Sequence, residues 1–339
     1  MNQQHLPAYL KALMKTGQLG CPVSELQVIQ THISYVLVAG QQVYKFKKPV
    51  NFGFLDFTTL EQRGYFCRRE VELNRRLCPD IYLGVFTVNR DGDDYRLNGT
   101  GEVIEYGVKM ARLPEELMMG RVIAAGKLEY QHLDAIIARL VPFYAQAAGD
   151  EKIKAFGKVE AVGVNVIENF QQTESFVDGP ALSRAQFDRI GAFSRTVLAD
   201  SARFDQRIAA GRIRDCHGDL YSANICLDDR IHIFDCIEFN ERFRYADVAS
   251  DVAFLAMDLD YHGLAPMATY FLEGFARAAD DPDLLQHVGF YQCYRAYVRG
   301  KIGLFTAADP AVEKTVAEAC TEQAKRYFEL ADRYAQTGI

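Results

Sequence analysis

The sequence has no apolar run of the ~18 residues needed to cross a bilayer. Its opening stretch, MNQQHLPAYLKALMK, lacks the apolar segment of a secretory signal. These absences predict a soluble, cytoplasmic protein without a membrane partner. There is no CxxC pair and no short-spaced Cys/His cluster. The eight cysteines stand apart at Cys21, Cys67, Cys78, Cys216, Cys226, Cys236, Cys293 and Cys320, as expected of reduced thiols buried as small apolar side chains. Basic excess is missing too: a net charge of −7 excludes a sequence-independent nucleic-acid binder, which needs a strongly positive surface. No GxxxxGK[ST] loop is present, which excludes a Walker-type nucleotidase. Internal repeats and low-complexity tracts are absent as well.

What remains is a chain of 339 residues, 49% apolar and 24% charged, long enough to fold as two lobes with separate cores. Charge is unevenly placed. Residues 1–112 carry 14 Lys and Arg against 11 Asp and Glu, a net +3, which leaves −10 for residues 113–339. The first part reads as a sheet. Glu25 to Val50 alternates apolar and polar residues around Gly40-Gln41-Gln42, predicting paired strands at 34–39 and 42–47. Thr58 with Glu61 has the spacing of a capping box opening a helix, and Pro79 ends it. Further strands are expected at 83–88 and 103–110. After Pro114 the pattern turns helical, at 128–147, 183–200, 268–279, 284–305 and 311–334. The exception is 215–239, where 224–227 and 231–234 read as the arms of a small hairpin. The expectation is an α+β, bilobal protein. Residues 1–112 would form an antiparallel sheet lobe with one helix, and 113–339 a larger, mainly helical lobe.

Chemistry concentrates at the exception. His217-Gly218-Asp219-Leu220-Tyr221-Ser222-Ala223-Asn224 is followed, eleven residues after the asparagine, by Asp235 at the end of an apolar strand. The spacing matches the kinase catalytic loop HxDLxxxN with a later metal-binding aspartate. Phosphoryl transfer asks little covalent work of a protein. It needs a carboxylate beside the acceptor hydroxyl and hard oxygens for Mg²⁺. Asp219 suits the first role as catalytic base, and Asn224 and Asp235 suit the second. An isolated His-Gly-Asp turn would more often be a local cap; the asparagine offset and the second aspartate outweigh that reading.

HGDLYSAN followed by Phe234-Asp235-Cys236-Ile237-Glu238-Phe239 resembles the aminoglycoside phosphotransferase family, a branch of the protein-kinase-like fold with HGDxxxxN and IDxE motifs. The resemblance covers roughly residues 34–259 and looks like an uncharacterised bacterial branch. It implies a bilobal kinase fold, ATP or GTP as phosphate donor, Mg²⁺, and Glu238 as a second-sphere or metal-site acid. It also implies a phosphate-contacting lysine on the strand Val43-Tyr44-Lys45-Phe46-Lys47. Lys45 and Lys47 share a strand face, so both stand as candidates, Lys45 preferred. Glu70 or Glu72 on the following helix would pair with that lysine, Glu70 first. Ser34, ending Thr31-His32-Ile33-Ser34, occupies the place of the missing GxGxxG loop. Backbone groups of the linker, about Met110 to Leu113, would hold adenine. Asp247 or Asp251 would brace the catalytic loop. Some relatives join this module to a P-loop kinase-like partner domain, and this chain is expected to end without one.

The function these features point to is transfer of the γ-phosphate of ATP or GTP to a hydroxyl of a small molecule. An amino sugar is one acceptor class that the acidic second part would attract. The alternatives are a nucleotide-binding regulatory module without turnover and, lower, a protein kinase. HGD in place of HRD and the lack of an APE-type segment disfavour the latter.

Overall fold

The computed structural model describes residues 6–337. The chain divides into two compact units. One comprises the residues up to Leu117 together with His232–Asn240, and the other Met118–Ile231 with the residues from Glu241 on.

The first unit is built on strands β1 (Leu26–Gln30), β2 (Ser34–Ala39), β3 (Gln42–Lys47), β4 (Tyr82–Asp91), β5 (Asp94–Leu97) and β6 (Glu102–Ala111). They form one antiparallel sheet in the order β1-β2-β3-β6-β4-β5. Gly40, at φ +57°, makes the tight β2–β3 turn and sets a register in which Ser34 faces Lys47 and Ala39 faces Gln42. Alternation along β3 then sorts its side chains. Tyr44 and Phe46 enter the core with Leu37, Phe86 and Val88, under Leu10, Leu13 and Met14 of helix α1 (Ala8–Lys15). Lys45 and Lys47 take the other face, towards helix α2 (Leu60–Asn74). That helix lies close to β6: a Cβ on Gly64 would come within 2.8 Å of the Tyr106 ring.

The α2 capping box is one residue later than the sequence suggests. Thr59 and Gln62 exchange the two bonds, while the Thr58 hydroxyl donates to Asp56. The doubled Thr-Thr and Glu-Gln satisfy either register on paper; the hydrogen bonds select the second. The helix also ends at Asn74, before Pro79.

The expected boundary at 112/113 differs from the observed division in two respects. The first unit runs on to Leu117, and it takes in 232–240, which the sequence alone assigns to the second lobe. Hydrogen bonds explain the latter. The Cys78 thiol donates to the Ile233 carbonyl at 2.7 Å, the Cys236 N–H to Asn74 Oδ1 at 2.9 Å, and Asn240 Nδ2 to the Phe54 carbonyl at 2.9 Å.

The second unit contains α3 (Met119–Ala124), α4 (Tyr130–Gln146), α5 (Glu151–Lys154), α6 (Val159–Thr173), α7 (Arg184–Leu198), α8 (Ser201–Ala209), α9 (Glu241–Arg244), α10 (Val248–Tyr261), α11 (Ala265–Ala278), α12 (Leu284–Ala308) and α13 (Lys314–Thr337). The five helices expected after Pro114 are all present, with ends shifted by a few residues, and α6 and α8 join them unforeseen. Helix α10 is buried from Val248 to Leu259, so its all-round apolar sequence marks a central helix rather than an amphipathic one. Strands β7 (Ile213–Asp215) and β10 (Tyr245–Asp247) pair antiparallel and flank the HGD loop at its start. The expected hairpin arms are reduced to two residues each, β8 (Ile225–Cys226) in the second unit and β9 (His232–Ile233) in the first.

Candidate active site

In the first unit, β3, α2 and the 232–240 segment bring five ionisable side chains together. Lys45 Nζ lies 2.9 Å from Glu70 Oε1 and 2.5 Å from Asp235 Oδ1. Lys47 Nζ lies 2.7 Å from the other Glu70 oxygen and donates to Glu238 Oε1. Glu70 thus divides its carboxylate between both lysines. It is fully buried, whereas Glu72 is exposed and pairs with Arg69. Lys47 is 1% exposed, so neither lysine forms a solvated strand edge.

Burial alone would push the Glu70 carboxyl up, but the two ammonium groups outweigh it and hold it well below the usual carboxylate range. Lys45 and Lys47 stay charged for the converse reason: Asp235 and Glu70 for one, Glu238 and Glu70 for the other, overcome desolvation. Three carboxylates facing two lysines leave one negative charge in excess, and Glu238 carries its cost. Burial, together with repulsion from Glu70, raises its carboxyl despite Lys47.

Asp235 is held by its backbone as well. Its N–H donates to the Tyr82 hydroxyl at 3.1 Å, and its φ of +61° lies in the left-handed region, which aspartate tolerates better than most residues. Such an outlier at a charged cluster is the kind of strain that collects at functional sites.

In the second unit the HGD loop hangs from α10. Asp251, fully buried, accepts the N–H groups of His217 at 2.6 Å and Gly218 at 2.9 Å, and the Tyr144 hydroxyl donates to it at 3.2 Å. About two turns later, Asp258 accepts the Ser222 N–H at 2.9 Å. Of the two brace candidates, Asp251 holds the loop; Asp247 instead caps α10 through the Ala249 N–H and forms a two-pronged ion pair with Arg207. Helix α12 adds a grip that sequence reasoning missed. Arg295 donates to the Gly218 carbonyl at 3.0 Å and to the Ser250 carbonyl at 3.3 Å, and Arg299 lies over the ring of Tyr221, which stacks on Phe254. Nothing in the α12 sequence marks these arginines off from ordinary surface charge.

Gly218, at φ +86°, lets the loop turn so that Asp219 is half-buried within reach of Asn224. Asn224 Nδ2 donates to Asp219 Oδ2 at 3.0 Å and to its carbonyl at 2.9 Å, which leaves Asn224 Oδ1 as the end suited to a cation.

The remaining expected contacts are placed less directly. Ser34 is 1% exposed and its hydroxyl has no hydrogen-bond partner; the neighbouring Thr31 Oγ1 accepts the N–H groups of Ile33 and Ser34, stapling the β1–β2 turn. Met110 pairs with Val43 and Tyr82 inside the sheet, while Leu113 follows the last backbone bonds of β6, Ala111 to Ile81 and Arg112 to Gln41.

Among the described residues, no three His, Cys, Asp or Glu side chains form a metal cage. Mg²⁺ needs none, since it commonly uses one or two protein oxygens beside phosphate and water. Each within its own unit, Asp235, with a side chain 45% exposed, and the oxygen end of Asn224 are oxygen donors of the kind that chemistry uses. Glu238, expected among the ligands, does not: it is buried and turned onto Lys47.

No protein-family model matches the sequence. Two uncharacterised proteins, from Mycobacterium tuberculosis and Mycobacterium bovis, are each 34% identical over 282 residues, 82% of this chain. The match covers 54% of their length, so the chain spans about half of the curated relatives it resembles. Among solved structures, a choline/ethanolamine kinase family protein from Mesorhizobium loti superposes over 98% of both chains at 13% identity with a TM-score of 0.51. Amicoumacin kinase, solved in complex with AMP-PNP, Ca²⁺ and Ami, superposes over 96% of this chain and 94% of its own at 13% identity with a TM-score of 0.52. With an antiparallel sheet unit carrying a lysine–glutamate pair, and a helical unit carrying the HGD loop, the chain has the fold of these two solved structures.

Proposed function

We propose that the protein is a small-molecule kinase that moves the γ-phosphate of ATP or GTP to a hydroxyl group. The observation that carries this reading is the Lys45–Glu70–Asp235 triad. A lysine fixed by a buried helix glutamate and bonded to the aspartate of the DFG position is the arrangement that phosphoryl transfer requires of a kinase sheet lobe. The second unit supplies a half-buried Asp219 in a loop braced at four backbone groups: three N–H and the Gly218 carbonyl. Likeness to choline/ethanolamine and amicoumacin kinases supports the same class.

In this reading Asp219 receives the proton of the acceptor hydroxyl as its oxygen bonds to the γ-phosphorus and the bond to the departing nucleoside diphosphate breaks. Asn224 keeps the Asp219 carboxylate turned for that proton. Lys45 binds phosphate oxygens, and Glu70 keeps the ammonium from folding away. Asp235 in the first unit and the Asn224 oxygen in the second are each suited to hold Mg²⁺, which would supply charge screening for the phosphates. The net −7 charge favours a small acceptor over nucleic acid.

The test is thermal unfolding with ATP, GTP or ADP, with and without Mg²⁺, for the wild type and Asp235→Ala, followed by nucleoside diphosphate release with hydroxylated acceptors. A Mg²⁺-dependent rise in the midpoint that disappears in Asp235→Ala is expected. Asp219→Ala should keep that rise and lower turnover by about 10²- to 10⁴-fold. A folded wild type that responds to no nucleotide would overturn the proposal.

A further inference from the structure

A kinase sheet lobe of this design needs one phosphate lysine, yet β3 buries a second, and the chemistry above gives it no contact with substrate. Lys47 is 1% exposed, and its ammonium is shared between Glu70 Oε2 and Glu238, over the face of the Phe57 ring at 4.8 Å. Burying a charged lysine is costly unless partners compensate it, so its place calls for a role.

We propose that Lys47 and Glu238 form a positioning pair that sets the geometry of the Lys45–Glu70–Asp235 triad, and that Glu238 is a partner of lysine rather than a metal ligand. Two features of the geometry lead there. First, a carboxylate is planar, so fixing Glu70 Oε2 on Lys47 aims Oε1 at Lys45, 2.9 Å away. With Lys47 removed, that carboxylate is free to rotate and Lys45 loses its fixed anchor. Second, Asp235 and Glu238 lie three residues apart on one segment and are tied to alternate lysines of one strand face. The pair therefore pins the far end of the segment whose near end bears the strained Asp235, and acts on chemistry only through Glu70 and Asp235.

The kinetic arm of the test rests on the proposed kinase reading; the stability arm does not. Thermal unfolding of nucleotide-free Lys47→Met, Glu238→Gln and the double variant should show strong non-additivity, the double melting well above the sum of the two single losses. Additive losses would overturn the pairing. With nucleotide, Glu238→Gln should keep the Mg²⁺ concentration for half-maximal ATP stabilisation within about twofold of wild type, while kcat falls about tenfold or more through lost orientation. Asp235→Asn should raise that Mg²⁺ requirement about tenfold or more, as loss of a ligand does. A comparable rise in Glu238→Gln would make Glu238 a metal ligand and overturn the proposal. In the double variant, recovered stability without recovered kcat is expected; wild-type kcat there would show the pair to be structural only. A wild type blind to nucleotide would remove the kinase reading and leave the stability cycle to decide the pair.

Discussion

Lys301 presents, at the scale of a single side chain, the opposite case to the site lysines. Desolvation on α12 lowers its pKa to about 8, against weak support from Glu168, and its ammonium donates to Gln172. A lysine whose folded pKa is lowered opposes folding while it is charged. Between pH ~8 and the unfolded value of ~10.4 the unfolded chain holds the extra proton, so stability from this group rises with pH across that window. Unfolding midpoints measured from pH 7 to 10 should therefore rise less in Lys301→Met than in the wild type; parallel curves would refute the shift. Lys45 and Lys47 differ because each faces carboxylates, and the sequence did carry that much: two lysines two apart on a strand, a glutamate on the next helix. It did not carry their burial, nor the division of Glu70 between them, since both depend on how closely α2 and the 232–240 segment approach β3.

At the scale of elements, α12 shows what periodicity leaves out. Its span from 284 to 305 was foreseeable as a helix, three residues short of the observed end at Ala308, but Arg295 and Arg299, four residues apart and hence on one face, look in sequence like solvated charges. In the fold they lie under the HGD loop, one bonded to Gly218 and the other over Tyr221. Arg295→Ala would leave the Gly218 and Ser250 carbonyls without this donor and deprive Asp251 of its cation at 3.6 Å. Destabilisation of about 3 kcal/mol is expected for breaking such a buried network, with kcat reduced and nucleotide affinity kept; denaturant unfolding and nucleotide titration check the two parts. Helix α2 and the β2–β3 hairpin were legible for a different reason, their signals being local: a capping pattern and a glycine turn. Helix α6 was not, because Gly163, Asn165 and Asn169 interrupt its apolar face and only its surroundings recover the helix.

Across the whole molecule, the chain leaves the first unit after Leu117 and returns to it for nine residues at His232–Asn240. Local patterns place a strand and an aspartate in that stretch without saying which core they join. The return supplies Asp235 and Glu238 to lysines that otherwise have Glu70 alone. A fragment of residues 6–117 is thus expected to bury two ammonium groups against one carboxylate and to unfold at markedly lower temperature than the same fragment with 232–240 joined by a flexible linker. Circular dichroism melts of the two would show it, and equal midpoints would count against it.

The same return has a meaning for inheritance. A recombination breakpoint anywhere between codons 118 and 231 would hand the two lysines and Glu70 to one descendant gene and Asp235 and Glu238 to the other. A lineage could exchange the stretch between them as a cassette, but it could pass on the charged cluster only by keeping both flanks together. Loss of Lys47 or Glu238 one at a time would strand a buried charge, so drift at those two codons should be correlated.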